Sequence, residues 1–124
     1  MTVLINPYAF GTSGGGSAPS SSFIYKTALT DTTNKTTGQT YSWAGQDIGT
    51  AHANRIVIAG CFSPAGGLTF DLTIGGVTAT PPIAGTVFNI CSAAVPTGTT
   101  ADFVVTCNDA YSRFVIMYGI YYPS

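Results

Sequence analysis

The stretch Leu68-Thr-Phe-Asp-Leu-Thr-Ile-Gly-Gly-Val-Thr-Ala-Thr80 decides the fold class. Leu68, Phe70, Leu72 and Ile74 alternate with Thr69, Asp71 and Thr73. A period of two places the apolar side chains on one face of a strand and the polar ones on the other. Gly75-Gly76 follows, two residues that reach positive φ without a Cβ clash, as a tight hairpin turn requires. Val77 and Ala79 resume the apolar face on the way back. Such a hairpin belongs to an antiparallel sheet with one face buried and one face wet. The rest of the chain reads as further strands built around it.

Working outward, Phe23–Thr27 reads as a short strand, and Tyr41 and Trp43, running toward Ile48, as a second. Arg55–Phe62 is nearly all apolar and predicts a central strand buried on both faces. Thr86–Val95, Asp102–Cys107 and Arg113–Tyr122 complete the set. Polar or Pro/Gly-containing turns separate them at Asp31–Thr40, Ser63–Gly67, Pro81-Pro82, Pro96-Thr97-Gly98 and Asn108-Asp109. About eight short strands with turns every 8–12 residues predict an all-β antiparallel sandwich, jelly-roll-like in its winding. No segment has a convincing helical period, and no internal repeat is evident.

The last strand carries a further message. Phe114, Ile116, Tyr118, Ile120 and Tyr122 are apolar on one face, and Val115, Met117 and Tyr121 on the other. A two-sheet sandwich buries one face of each sheet. The second face must then meet either the N-terminal segment or another subunit.

A chain of 124 residues is one domain by length. Charged residues make up 7% of it, against ~25% in typical soluble domains, and Glu is absent. Thr, Val, Ile, Tyr and Phe, all strand formers, take their place. The net charge is −1, and Lys26, Lys35, Arg55 and Arg113 are scattered. No basic cluster exists to bind phosphates, so nucleic acid is not an expected partner. A surface so poor in charge has little electrostatic protection against association, which suits a subunit packed against neighbours. The start shows neither a basic n-region nor a long apolar core, so no secretory leader is expected. No run approaches the ~20 apolar residues of a membrane helix, and no membrane partner is expected. Cys61, Cys91 and Cys107 each lie on an apolar strand and are expected to be buried free thiols, as in a reducing cytoplasm.

Residues 1–22 stand apart. The first ten carry Val3, Leu4, Ile5, Tyr8 and Phe10; residues 11–22 are Gly- and Ser-rich, a tether by composition. The expected organisation is an extended N-terminal arm with its tether over 1–22 and a sandwich over 23–124. The alternative is that Val3–Ile5 form a first strand of the same domain.

No stretch carries recognisable chemistry. His52 is the one histidine, so a Ser–His or Cys–His enzyme would have to use it, yet no nucleophile motif surrounds any Ser or Cys. No Cys or His pair has zinc-ligand spacing. Asp31, Asp47, Asp71, Asp102 and Asp109 are well separated, and no Glu is present to form a catalytic carboxylate pair with them. Gly14-Gly15-Gly16 lacks the Gly-Lys-Ser/Thr ending of a phosphate loop. The reading is a non-enzyme with no catalytic residue, cofactor or metal. Tyr41 with Trp43, and Tyr118 with Tyr121 and Tyr122, could stack on sugar rings, although strand aromatics more often serve core or interface.

The segments Tyr41-Ser-Trp-Ala-Gly-Gln-Asp-Ile-Gly-Thr-Ala51, Asn54–Ala59, Leu72–Thr80 and Ala94–Thr106 together resemble small β-rich proteins encoded among tailed-bacteriophage virion genes. The resemblance covers roughly Tyr41–Tyr122 and lies in strand-and-turn patterning. It implies a structural virion protein, foremost a capsid decoration (cement) subunit that binds and stabilises the head. The alternative is a tail-fibre or adhesin-type module that recognises a surface glycan. It further implies a homotrimer, the major capsid protein or other virion proteins as partners, and a place in the virion after assembly in the host cytoplasm. The Gly-rich arm is similar to the arms by which cement subunits lace onto capsids. The candidate assembly contacts are therefore Val3, Leu4, Ile5, Tyr8 and Phe10 on the arm, and Tyr118, Tyr121 and Tyr122 on the last strand.

Overall fold

The computed structural model describes residues 21–63, 70–80 and 88–123. The described residues form eight strands and no helix: β1 (Ser22–Asp31), β2 (Thr40–Asp47), β3 (Ile56–Phe62), β4 (Phe70–Ile74), β5 (Val77–Thr78), β6 (Phe88–Ala94), β7 (Thr100–Cys107) and β8 (Phe114–Tyr122). They make two antiparallel four-stranded sheets, one in the order β1-β8-β3-β6 and the other β2-β7-β4-β5. The eight-strand sandwich expected from the turn spacing is the fold of the protein. The N-terminal arm, with Val3, Leu4, Ile5, Tyr8 and Phe10, lies outside the described residues.

The pairing is nested. β4 pairs with β5, β3 with β6, β2 with β7 and β1 with β8, so the chain is one long two-stranded ribbon folded across itself. Its tip is Gly75-Gly76, with φ of 59° and 81°, the two positive values that a primed hairpin turn needs. This winding is that of a jelly roll. The part of that stretch that is described, Phe70–Thr80, is thus the point about which the ribbon doubles back, although its hairpin sits at the edge of its own sheet and not at the centre.

The interior lies between the sheets. Phe70, Leu72, Ile74, Phe103 and Val105 come from the second sheet, and Val57, Ala59, Phe114, Ile116 and Ile120 from the first. Full burial of such a side chain contributes about 1.5–3 kcal/mol, and this supplies most of the drive to fold. Rings interlock across the gap: Phe70 meets Phe114 edge-on at 4.8 Å, and Phe103 meets Tyr118 at 4.6 Å. The three cysteines are free and buried as expected. Cys61 donates a hydrogen bond to Cys91, and this bond together with burial pushes the Cys61 thiol well above the ordinary range.

Two expectations need correction. β3 is central, flanked by β8 and β6, but only Val57, Ala59 and Cys61 on its inner side are buried; the outer side is half-exposed. An apolar strand does not announce whether its second face is covered. β1 runs to Asp31, beyond the expected end at Thr27, because its pairing with β8 continues through Leu29 and Thr30 to Asp31 opposite Phe114. Polar residues such as Thr30 enter a strand when a partner offers the ladder.

Two polar residues among those described are wholly interior, Ser63 and Arg55, and only Arg55 is charged. Arg55, just before β3, is fully buried. Its Nε donates to Val95 O (2.7 Å), Nη1 to Gly49 O (3.0 Å) and Ile48 O (3.3 Å), and Nη2 to Thr97 O (2.7 Å). The guanidinium thus satisfies carbonyls of two loops at one end of the sandwich, those after β2 and after β6. Carbonyl dipoles on several sides are what allow a charge to be buried there.

Candidate functional site

The outer faces of the two sheets supply the clearest functional signal. On the first sheet the register sets residues in rows across four strands. The first row is Phe23, Tyr121, Ile56 and Ala94, and the second Tyr25, Gly119, Ile58 and Ser92. The third is Ala28, Met117, Gly60 and Ile90, and the fourth Thr30, Val115, Phe62 and Phe88. None of these positions is charged. Thr30 and Ser92, the two aliphatic hydroxyls, both lie on edge strands, β1 and β6.

A β-bulge makes the rows possible. The register of β1 against β8 shifts between Tyr25 and Thr27, which inserts Lys26 as an extra residue. Phe23 and Tyr25 before it, and Ala28 and Thr30 after it, then share the outer side. Lys26 instead reaches Asp47 at the end of β2, Nζ to Oδ2 at 3.0 Å, tying the first sheet to the second. Asp47 also accepts from Gly49 N; that bond first, and Lys26 second, hold its carboxyl below the usual carboxylate range.

Glycine shapes the same face. A Cβ on Gly119 would lie 2.7 Å from Cε1 of Phe23 and 2.9 Å from Ile24 O. A Cβ on Gly60 would lie 3.1 Å from Cζ of Phe88. Each edge-strand ring therefore folds inward over a bare backbone position on a central strand. Aromatic covering of sheet glycines fills what would be a notch and leaves a smooth apolar surface. The rings stay open to solvent on their other side, Phe23 54% exposed, Tyr25 57% and Phe88 44%, and beside them Ile90 is 59% and Met117 43% exposed.

The expected last-strand contacts separate. Tyr121 lies on this outer face, half-buried. Tyr118 faces the other way: it is buried in the core, its hydroxyl donates to Asp47 O at 2.8 Å, and burial raises its pKa. It offers nothing to a partner. Tyr122 points inward at the loop end, where its hydroxyl donates to Thr50 O and its ring meets His52 edge-on. His52 itself is an exposed loop residue whose Nδ1 accepts from Asn54 N at 3.0 Å. The aromatic pair proposed for sugar stacking is also largely internal: Tyr41 is buried, its ring parallel to the half-buried Trp43 at 6.2 Å, and burial pushes its hydroxyl up to about 12. Among the described residues no group of three or more His, Cys, Asp or Glu could hold a metal ion.

The residues that sequence reasoning passed over are Ile58, Gly60, Phe88 and Ile90. The doubly apolar pattern of Arg55–Phe62 is the signal for Ile58 and Gly60, read there as double burial; Phe88 and Ile90 lie on the expected strand Thr86–Val95.

No protein-family model matches the sequence, and no curated protein matches it. Among solved structures the chain is similar to the catalytic unit of a thermostable GH87 alpha-1,3-glucanase from Streptomyces thermodiastaticus strain HF3-3. The identity is 10% and the TM-score 0.39, over 82% of this chain and 25% of that one. The chain spans a quarter of that structure, and a likeness so slight carries no argument about activity.

Proposed function

We propose that the protein is a structural virion subunit of the capsid-decoration kind, which works by packing apolar sheet surface against neighbouring subunits. The observation that carries this reading is the uncharged outer face of the first sheet. An apolar patch this continuous sits at the upper end of what monomers expose, and such patches mark interaction surfaces. The resemblance of Tyr41–Tyr122 to phage virion proteins supplies the setting. In it the partners are the major capsid protein and further copies of the chain, and the apolar Met1–Phe10 segment is the arm that docks on the lattice.

Quantitative mass spectrometry of purified particles tests the reading. A decoration subunit is present in hundreds of copies; absence from particles rejects the virion role. Removing residues 1–20 should leave the melting temperature nearly unchanged and weaken particle binding by orders of magnitude. Normal decoration by the truncated chain rejects the arm as anchor.

A second reading, a tail-fibre or adhesin-type module, draws on one corner of the same face. Phe23 and Tyr121 are cross-strand neighbours there, with Tyr25 in the next row. Two open rings and a half-buried one in a corner could stack on sugars. A few copies per particle, with loss of glycan binding in Tyr25→Ala, would favour it.

A further inference from the structure

We infer that the outer face of the β1-β8-β3-β6 sheet is a self-association surface, whose occupant is the same face of a second copy of this chain, packed about a two-fold axis. The inference stands apart from the virion reading, since it needs only the face itself.

Charge is the first argument. About a two-fold axis, a charge near the axis meets its own like-charged image, and every other charge needs an opposite partner within the same patch. This grid carries no Asp, Lys or Arg at any of its positions, so neither constraint applies to it. The arrangement of polarity is the second. The two central strands present Val115, Met117, Gly119 and Tyr121 from β8, and Ile56, Ile58, Gly60 and Phe62 from β3. Thr30 and Ser92 lie outside them, on the edge strands. So continuous an apolar centre matches the core of a protein interface. It does not suit a sugar, whose hydroxyls need donors and acceptors among the rings.

Area decides between the possible occupants. Four strands at ~4.8 Å spacing are about 19 Å wide, and seven residues at ~3.4 Å are about 24 Å long. The plane is roughly 450 Å², and more as contoured side-chain surface. Two such faces together reach the ~1,000–1,200 Å² at which specific interfaces begin. An extended Met1–Phe10 would cover a strip one strand wide, about 5 Å of the 19 Å. A second sheet covers it all, in the aligned face-to-face packing, ~10 Å apart, that sandwich sheets adopt. Two copies close this face. The trimer implied by the resemblance needs a different surface.

The full-length protein should be examined by sedimentation equilibrium from about 1 to 100 µM, beside Ile58→Lys, Met117→Lys and the opposite-sheet control Thr73→Lys. The wild type and the control should approach twice the 12.8 kDa chain mass. The two face variants should stay at the single mass, with dissociation constants raised at least 100-fold and unchanged circular dichroism. A wild type that stays monomeric to 100 µM, one that forms trimers, or face variants that still pair would each overturn the inference. If the lysine variants fail to fold, oxidation of Met117 in the wild type decides. Its rate with dilute peroxide, followed by mass spectrometry, should fall several-fold as concentration rises through the dimerisation range. A rate independent of concentration overturns the inference, including one that is slow throughout, which would mean that the chain covers its own face. Because this readout is solution mass and the virion test is copy number on particles, either can fail alone.

Discussion

The outer face of the second sheet is the counterpart of the surface just described, and it is built on the opposite rule. Its rows run Thr40, Thr106, Asp71 and Ser42, Val104, Thr73, Thr78, and Val104 is their one apolar member. Both sheets have four strands, both are antiparallel, and both bury an apolar inner face in the same core. They differ only where they meet the outside. The hydroxyl-rich face satisfies water; the apolar face leaves Phe23, Tyr25, Phe88, Ile90 and Met117 in it. The fold requires one apolar face per sheet and is indifferent to the other. The excess on the first sheet is therefore not needed to form the sandwich, and the proposed contacts are placed there for that reason.

The comparison presumes that both sheets share one cooperative interior, and Arg55 is the sharpest way to break that. Arg55→Met removes the donors to Ile48, Gly49, Val95 and Thr97 carbonyls. Leaving buried carbonyls unpaired should cost on the order of 3 kcal/mol. Denaturant unfolding should show the loss as one transition; two transitions would mean that the sheets unfold separately.

The next effect separates the two faces directly. Gly119→Ala pushes a methyl group into the Phe23 ring and the Ile24 carbonyl, an overpacking expected to cost about 1–3 kcal/mol. Gly60→Ala meets only the end of the Phe88 ring and should cost less. Thr73→Ala, on the hydroxyl-rich face, should stay within ~0.5 kcal/mol. Equal thermal shifts for all three would show that the rings do not hold the glycine positions.

Tyr118→Phe sharpens the inner boundary. It deletes the hydroxyl bonded to Asp47 O and should cost about 1 kcal/mol, with self-association unchanged. A change in association would return Tyr118 to the contact surface.

The smallest effect is pH. Asp31 is held below its ordinary pKa by the Thr33 hydroxyl and then by the Thr33 amide, and Asp47 by the Gly49 amide and then by Lys26. A carboxyl whose folded pKa is lowered contributes stability above its unfolded pKa of ~3.9 and loses it as pH falls through the folded value. The melting temperature should hold steady from pH 7 to 5 and slip below pH 4. Both groups are exposed, so the slip should be slight and reduced by salt. Lys26→Ala should remove part of it, because Lys26 is one of the groups that lower the Asp47 pKa.

Much of this was legible in residue order. Period-two alternation in Asp102–Cys107 named the buried side of β7 correctly, as Phe103, Val105 and Cys107. Gly75-Gly76 named the turn, because positive φ at two successive residues leaves few other choices. The bulge at Lys26 was not legible: an extra residue shows only against a partner strand. Which face of the doubly apolar β8 is interior was harder to read, and with it the separation of Tyr118 from Tyr121. Both looked like candidate contacts in an aromatic cluster, and strand parity could have distinguished them, since 118 shares its parity with the core residues Phe114, Ile116 and Ile120.

The sequence by itself determined that the protein is all-β, where its turns fall, which side of each alternating strand is interior, and that the chain carries little charge. Those are local properties, settled by φ preferences, side-chain period and composition. Only the tertiary structure decided that β1, β8, β3 and β6 stand side by side. Strand neighbours are chosen by how the ribbon wraps to bury its inner faces, over separations of up to a hundred residues. That choice gathered apolar side chains from four distant segments onto one outer face and left the hydroxyl-rich segments on the other.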